Sequence, residues 1–147
     1  LHADSRLDPS WGNSLLKIMG NKTSKNSIWY FDFKIRKHNL EFRILEIAVA
    51  IRSYFLQRPY GDQGLLIHKD LYYLSGGFSS LKIMEDLDFI TRITKTKRAR
   101  RIGENIYIND RQWVKSNVFR RAIKNAKLRR KWRLGENVEH LSKEYYS

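Results

Sequence analysis

Two adjacent carboxylates, Glu85 and Asp86, open the run "EDLDFITRI" a few residues after the paired glycines and aromatic of Gly76-Gly77-Phe78. An acid at a helix start, following a loop that lets backbone come close, is placed to act as general base toward a hydroxyl. The helix macrodipole accounts for two acids in a first turn equally well. Asp88 and Arg92, four residues apart, suit an ordinary surface ion pair. A second acidic group opens the chain in "LHADSRL", where His2 and Asp4 stand two residues apart at a strand end and can turn toward one ion. Carboxylate oxygen suits Mg²⁺ or Mn²⁺, and such an ion usually shares its shell with substrate phosphates. The plainer reading of Asp4 is local hydrogen bonding with Ser5 and Arg6. A third acid, Asp62, lies in Gly61-Asp62-Gln63-Gly64, a composition that also suits a simple turn.

The surrounding chain is strongly basic. Its 147 residues carry a net charge of +14, with 41% hydrophobic and 13% aromatic residues, which fits one folded domain with a core. Residues 1–91 hold 12 Lys and Arg against 10 acids, whereas residues 92–147 hold 17 against 5. The positive field therefore sits on the last third and points to an anionic partner there, or to a solvated basic face with no partner. With no cysteine, disulfides and thiolate metal sites are excluded, and a reducing compartment is compatible. No run approaches the length of an apolar membrane span. Four scattered histidines give no zinc-like spacing, and no phosphate loop, dinucleotide fingerprint or Ser/His/Asp signature is present.

The elements that must position these acids follow from punctuation and periodicity. Asp8-Pro9 predicts a helix start, with Asp8 as N-cap, running to residue 19 and stopped by Gly20. "IWYFDFKIR" predicts a strand, with Trp29, Phe31, Phe33 and Ile35 on one buried face. Asn39 caps a long helix to about residue 57, its buried side formed by Phe42, Leu45, Val49 and Tyr54 or Phe55. "GLLIH" reads as a short strand and "KDLYYLSG" as one or two helical turns. Residues 84–96 read as a helix, and "RARRIG" and "NIYIND" as two short strands. A basic helix over 112–134 stops at Gly135, and Asn137 caps a last helix. Helices alternate with strands, so the class is α/β. The basic helix interleaves Trp113, Val118, Phe119, Ala122, Ile123, Ala126 and Trp132 with arginines and lysines. It can lie in an anionic membrane interface, dock on the core with its basic side in water, or follow a phosphate backbone. No nucleic-acid recognition motif accompanies it.

Taken in order, "LHADSRL", "RPYGDQGLLIHKDLYYLSGGF", "IMEDLDFITRI", "RQW" and "NAKLRRKWRLG" resemble a family-2 glycosyltransferase of the GT-A fold. More narrowly, the set is similar to the bacterial subgroup of radical-SAM/selenodomain-associated transferases. The resemblance covers the whole chain. It implies the C-terminal part of a Rossmann-like mixed sheet flanked by helices, with residues 1–112 as a partial catalytic domain and 113–147 as basic helices packed on it. It implies a nucleotide-diphosphate sugar as donor, an acceptor hydroxyl, and inversion with Asp86 as base and Glu85 beside it. A divalent metal, Mn²⁺ or Mg²⁺, falls to Asp4, with His2 standing where the family's Asp-x-Asp motif has its first acid. Asp62 and Gln63 match a Gly-Asp-Gln loop beside the acceptor pocket, and Arg92 an arginine on the base's helix. Arg111 and Trp113 match an Arg-Arg-Trp element in which Gln112 replaces the second arginine. By resemblance, about the first third of the catalytic domain, with its nucleotide-base pocket, is absent from this sequence. A cytoplasmic location, peripheral at the inner membrane face, goes with that reading. The rival readings are a non-catalytic basic module for anionic membranes or RNA, and a folded remnant that partners another subunit and exposes an apolar face.

Overall fold

The computed structural model describes residues 5–109 and 117–146. Within them the fold is mixed α/β, with four strands in one mixed sheet and six helices. The strands are β1 (Ser5–Leu7), β2 (Ile28–Ile35), β3 (Leu65–Ile67) and β4 (Ala99–Ile108), in the spatial order β1-β4-β2-β3. β2 and β4 run parallel, while β1 and β3 pair antiparallel at the two sides. The helices are α1 (Trp11–Met19), α2 (Leu40–Phe55), α3 (Lys69–Leu74), α4 (Glu85–Ile93), α5 (Val118–Arg133) and α6 (Val138–Tyr146).

β4 is one strand of ten residues where the glycine in "RRIGEN" suggested two. Tyr30 pairs with Arg101 but Asp32 with Asn105, so Ile102, Gly103 and Glu104 bulge out of the ladder. Gly103 has φ +90, a conformation that costs other residues steric strain. The bulge carries Glu104 to the start of α1, where its carboxylate accepts from Ser10 Oγ (2.6 Å) and Ser14 Oγ (2.5 Å). These two hydroxyls, Ser10 first, hold the Glu104 pKa below the ordinary carboxylate value. The helix consequently starts later than the Asp8-Pro9 signal implied. Ser10 is its N-cap residue, and Asp8 Oδ1 instead accepts from Ser10 N at 3.4 Å in the turn ahead.

The same irregularity changes the expected alternation of β2. Phe31, Phe33 and Ile35 are buried as read, but Ile28 and Tyr30 are buried in place of Trp29. The parity reverses where the register shifts, and the two ends of the strand feed different clusters. Ile28 and Tyr30 pack with Tyr60, Leu71, Leu87, Phe89, Ile90 and Ile93. Phe33 and Ile35 pack with Phe42, Leu45 and Val49 of α2 and Val118 of α5. A third cluster joins Ile83, Leu128 and Leu141, which fastens α5 and α6 to the segment ahead of α4.

α2 departs furthest from its expected pattern. Phe42, Leu45 and Val49 are buried, but the inward row continues through Glu46 and Ser53, leaving Tyr54 58% and Phe55 72% exposed. The reason lies at the open side of β2. β3 pairs with Ile28 to Tyr30, so among the described residues the next part of β2 has no neighbouring strand on that side. Side chains take its place. Glu46, 5% exposed, accepts from Ile35 N at 2.8 Å, and Arg43 Nη2 donates to Ile35 O at 2.7 Å. Gln63 Nε2 donates to Phe31 O at 3.3 Å, and Ser53 Oγ donates to Gln63 Oε1 at 2.5 Å. Buried polar groups are tolerated when bonded this fully, and Glu46 is further neutralised by Arg43 (2.8 Å) and Lys34 (3.2 Å).

Candidate functional site

α4 is shorter than the pattern suggested and begins with Met84 in the left-handed region, φ 65. That kink turns Glu85 and Asp86 out of the preceding loop and into the first turn. Asp86 Oδ2 accepts from Gly61 N at 2.7 Å, and Oδ1 from Leu87 N at 2.7 Å. The carboxylate is thus clamped to the 3-10 turn Gly61–Gln63, and the Asp62 loop and the Glu-Asp pair, 25 residues apart, become one acidic group.

This group lines a cavity of about 680 Å³. Asp62, Glu85 and Asp86 contribute carboxylates, and Arg121, Asn125 and Arg129 line it from α5. Those three recur every fourth residue and so share one helix face. Arg129 is half-buried and has no ion-pair partner among the described residues. Its guanidinium lies over the Tyr60 ring at 5.3 Å, and Arg52 lies over the same ring at 4.2 Å. Burial, then the neighbouring charge of Arg52, pulls the Arg129 pKa below the ordinary arginine value, an effect that Tyr60 and Asp62 partly offset. A desolvated cation beside another cation favours an anion in the space it faces.

Several expected residues lie elsewhere. Gln63 is fully buried and bonded to Arg52 Nη2 (3.0 Å), Ser53 and Phe31, away from the cavity. Arg92 is also outside it. Nε donates to Asp88 Oδ2 at 2.9 Å, Nη1 to Ser75 O, and Nη2 to Gly77 O at 2.6 Å. It therefore holds the Gly-Gly loop in shape. Gly77 needs to be glycine there, because its φ is +58 and a Cβ would lie 3.0 Å from the Tyr72 ring. His2, Asp4, Arg111 and Trp113 lie outside the described residues.

Oxygen donors suited to a hard cation do reach the cavity. Ser5, next to Asp4 in sequence, lines it, and both Ser5 Oγ and Asp62 Oδ1 are buried without a hydrogen-bond partner. Asp62 also has Arg52 Nη2 at 3.7 Å. Among the described residues no three of His, Asp or Glu assemble as a cation site.

The basic helix α5 is split in its apolar residues, with Phe119 and Ile123 exposed and others inward. Val118, Ala122, Leu128 and Trp132 pack in the core clusters, leaving Lys127 and Arg130 exposed. Among the described residues no helix is long and apolar enough to cross a membrane. Sequence reasoning missed Arg121, Asn125 and Arg129, whose four-residue spacing is legible but is lost among the other basic residues of that helix. Compared with protein-family models, curated proteins and solved structures, the chain matches none.

Proposed function

We propose that the cavity is the transfer site of a glycosyltransferase of family-2 type and GT-A fold, which moves a sugar from a nucleotide-diphosphate donor to an acceptor hydroxyl. The observation that carries this reading is the meeting of an anchored carboxylate, Asp86, with an unpaired half-buried cation, Arg129, in one open cavity. Asp86 takes the proton of the acceptor hydroxyl as its oxygen attacks the anomeric carbon, and the bond to the diphosphate breaks with inversion. The Gly61 and Leu87 N–H groups fix the carboxylate and leave its remaining lone pairs for the hydroxyl. Glu85 and Asp62 orient the acceptor. Arg129 opposes charge that builds on the departing diphosphate. Asp4 and its neighbour in sequence, Ser5, would hold Mn²⁺ or Mg²⁺, which would supply Lewis-acid neutralisation of that diphosphate.

The test is a panel of UDP- and GDP-sugars with Mn²⁺, scored for sugar release or transfer. Asp86→Asn is expected to lower turnover at least about a hundredfold while donor affinity changes little. Retained turnover refutes the base assignment. The exposed basic side of α5 favours a second reading, a non-catalytic module for an anionic membrane. Binding that falls steeply with salt, ignores Mn²⁺ and is unchanged by Asp86→Asn would select it.

A further inference from the structure

α2 carries a surface that the transfer chemistry does not use. Its exposed residues are Leu40, Ile44, Ile47, Ala48, Ala50, Ile51, Tyr54 and Phe55, without a charged side chain among them. The helix's own charged groups, Glu41, Arg43, Glu46 and Arg52, are buried or half-buried. A helix that carries an apolar outer side besides its buried one is normally covered there too. The large outer residues also have a definite order. Leu40, Ile44, Ile47, Ile51 and Tyr54 are spaced four, three, four and three residues apart, the seam by which one helix packs along another. A groove of about 460 Å³ beside the seam, lined by Ile47, Ile51, Tyr54 and Phe55 together with Tyr30 and Asp32, provides space for side chains from a second helix.

We propose that this seam is the interface of a two-fold dimer, in which α2 packs antiparallel against α2 of a second copy. Three features select that occupant. The seam is self-complementary, since its midpoint is Ile47 and a two-fold there sets Leu40 against Tyr54 and Ile44 against Ile51. With exposures from 44% at Ile44 to 75% at Leu40, the five seam residues and Phe55 offer roughly 700 Å² per copy, close to the ~800 Å² per partner of a stable interface. The seam itself carries no charge, and the cations lining the groove beside it, Lys34, Arg43 and Arg101, are paired with Glu46 and Asp32, so two chains of net charge +14 can approach there. The remaining repulsion is long-range and therefore screened by salt. The proposal does not depend on the transferase reading.

Sedimentation of the chain at micromolar concentration is expected to give twice its 17.6 kDa mass, with association tightening as NaCl is raised. Ile47→Asp with Ile51→Asp is expected to weaken the dimer at least about a hundredfold, with an unchanged circular dichroism spectrum because both side chains point to solvent in the monomer. The chain has no cysteine, so Ile47→Cys reports the axis directly: it should oxidise to a linked dimer, whereas Leu74→Cys, exposed on α3, should not. A monomer at all salt concentrations overturns the proposal, as does a dimer indifferent to the paired Asp substitutions. So does a monomer that binds anionic vesicles through Ile47 and Ile51 and is released by salt, which assigns the seam to a lipid surface.

Discussion

α2 and α5 have the same length, sixteen residues, and face outward in opposite ways. α5 keeps Val118 and Leu128 inside and turns Arg120, Lys127, Arg130 and Arg133 to water, with Phe119 and Ile123 among them. α2 takes its one buried carboxylate inside and turns isoleucines out. The difference lies in what each helix meets. α5 docks on apolar clusters, with Lys131 bonded to Glu144 of α6 at 2.6 Å and Arg129 over Tyr60 at their edge. α2 lies along an open strand side whose N–H and C=O groups need partners, so Glu46, Arg43 and, through Gln63, Ser53 occupy its inner row. A helix's burial pattern is set by the chemistry of its neighbour as much as by its own hydrophobicity.

Four substitutions sharpen that contrast. Leu128→Ala should be the most damaging, at about 3–4 kcal/mol, because a fully buried side chain joining α5 to α6 leaves a cavity; denaturant unfolding measures it. Glu46→Ala should cost about 3 kcal/mol, since it strands the Ile35 N–H and removes the partner of Arg43 and Lys34. If α2 were held by its apolar residues alone, that loss would be absent from the unfolding curve. Ser53→Ala should cost about 1 kcal/mol, one hydrogen bond to Gln63, visible as a small shift in Tm. Lys127→Ala, on the exposed side of α5, should stay within about 0.5 kcal/mol of the unaltered chain in the same assay.

Asp32 and Arg101 lie at the bulge that parity arguments missed, their side chains joined by bonds of 2.6 and 2.9 Å. Local punctuation located the helix ends at Gly20 and Gly135 and the Asn39 and Asn137 caps, because these depend on residues only a few positions apart. Glycine in "RRIGEN" signalled an interruption but did not say whether the strand stops or bulges, which depends on the β2 ladder beside it. At the site, the acids Asp62, Glu85 and Asp86 were legible as chemistry-bearing types, and their bond through Gly61 was not, since 25 residues separate them. The four-residue spacing of Asp88 and Arg92 read as an ion pair, and they form one at 2.9 Å. The use of Arg92 on Ser75 and Gly77 follows from how the Gly-Gly loop folds back over α4. Arg129 was one of many arginines until Tyr60 and Arg52 gave it a distinct place.

The pairing of Asp86 with Arg129 in one cavity is tested most directly by calorimetric titration of the chain with inorganic pyrophosphate in Mn²⁺, comparing Arg129→Ala and Asp86→Asn. Binding should fall at least about tenfold in Arg129→Ala, in line with the loss of a charge-assisted contact, and hold or tighten in Asp86→Asn. Equal binding by the unaltered chain and Arg129→Ala would contradict the account.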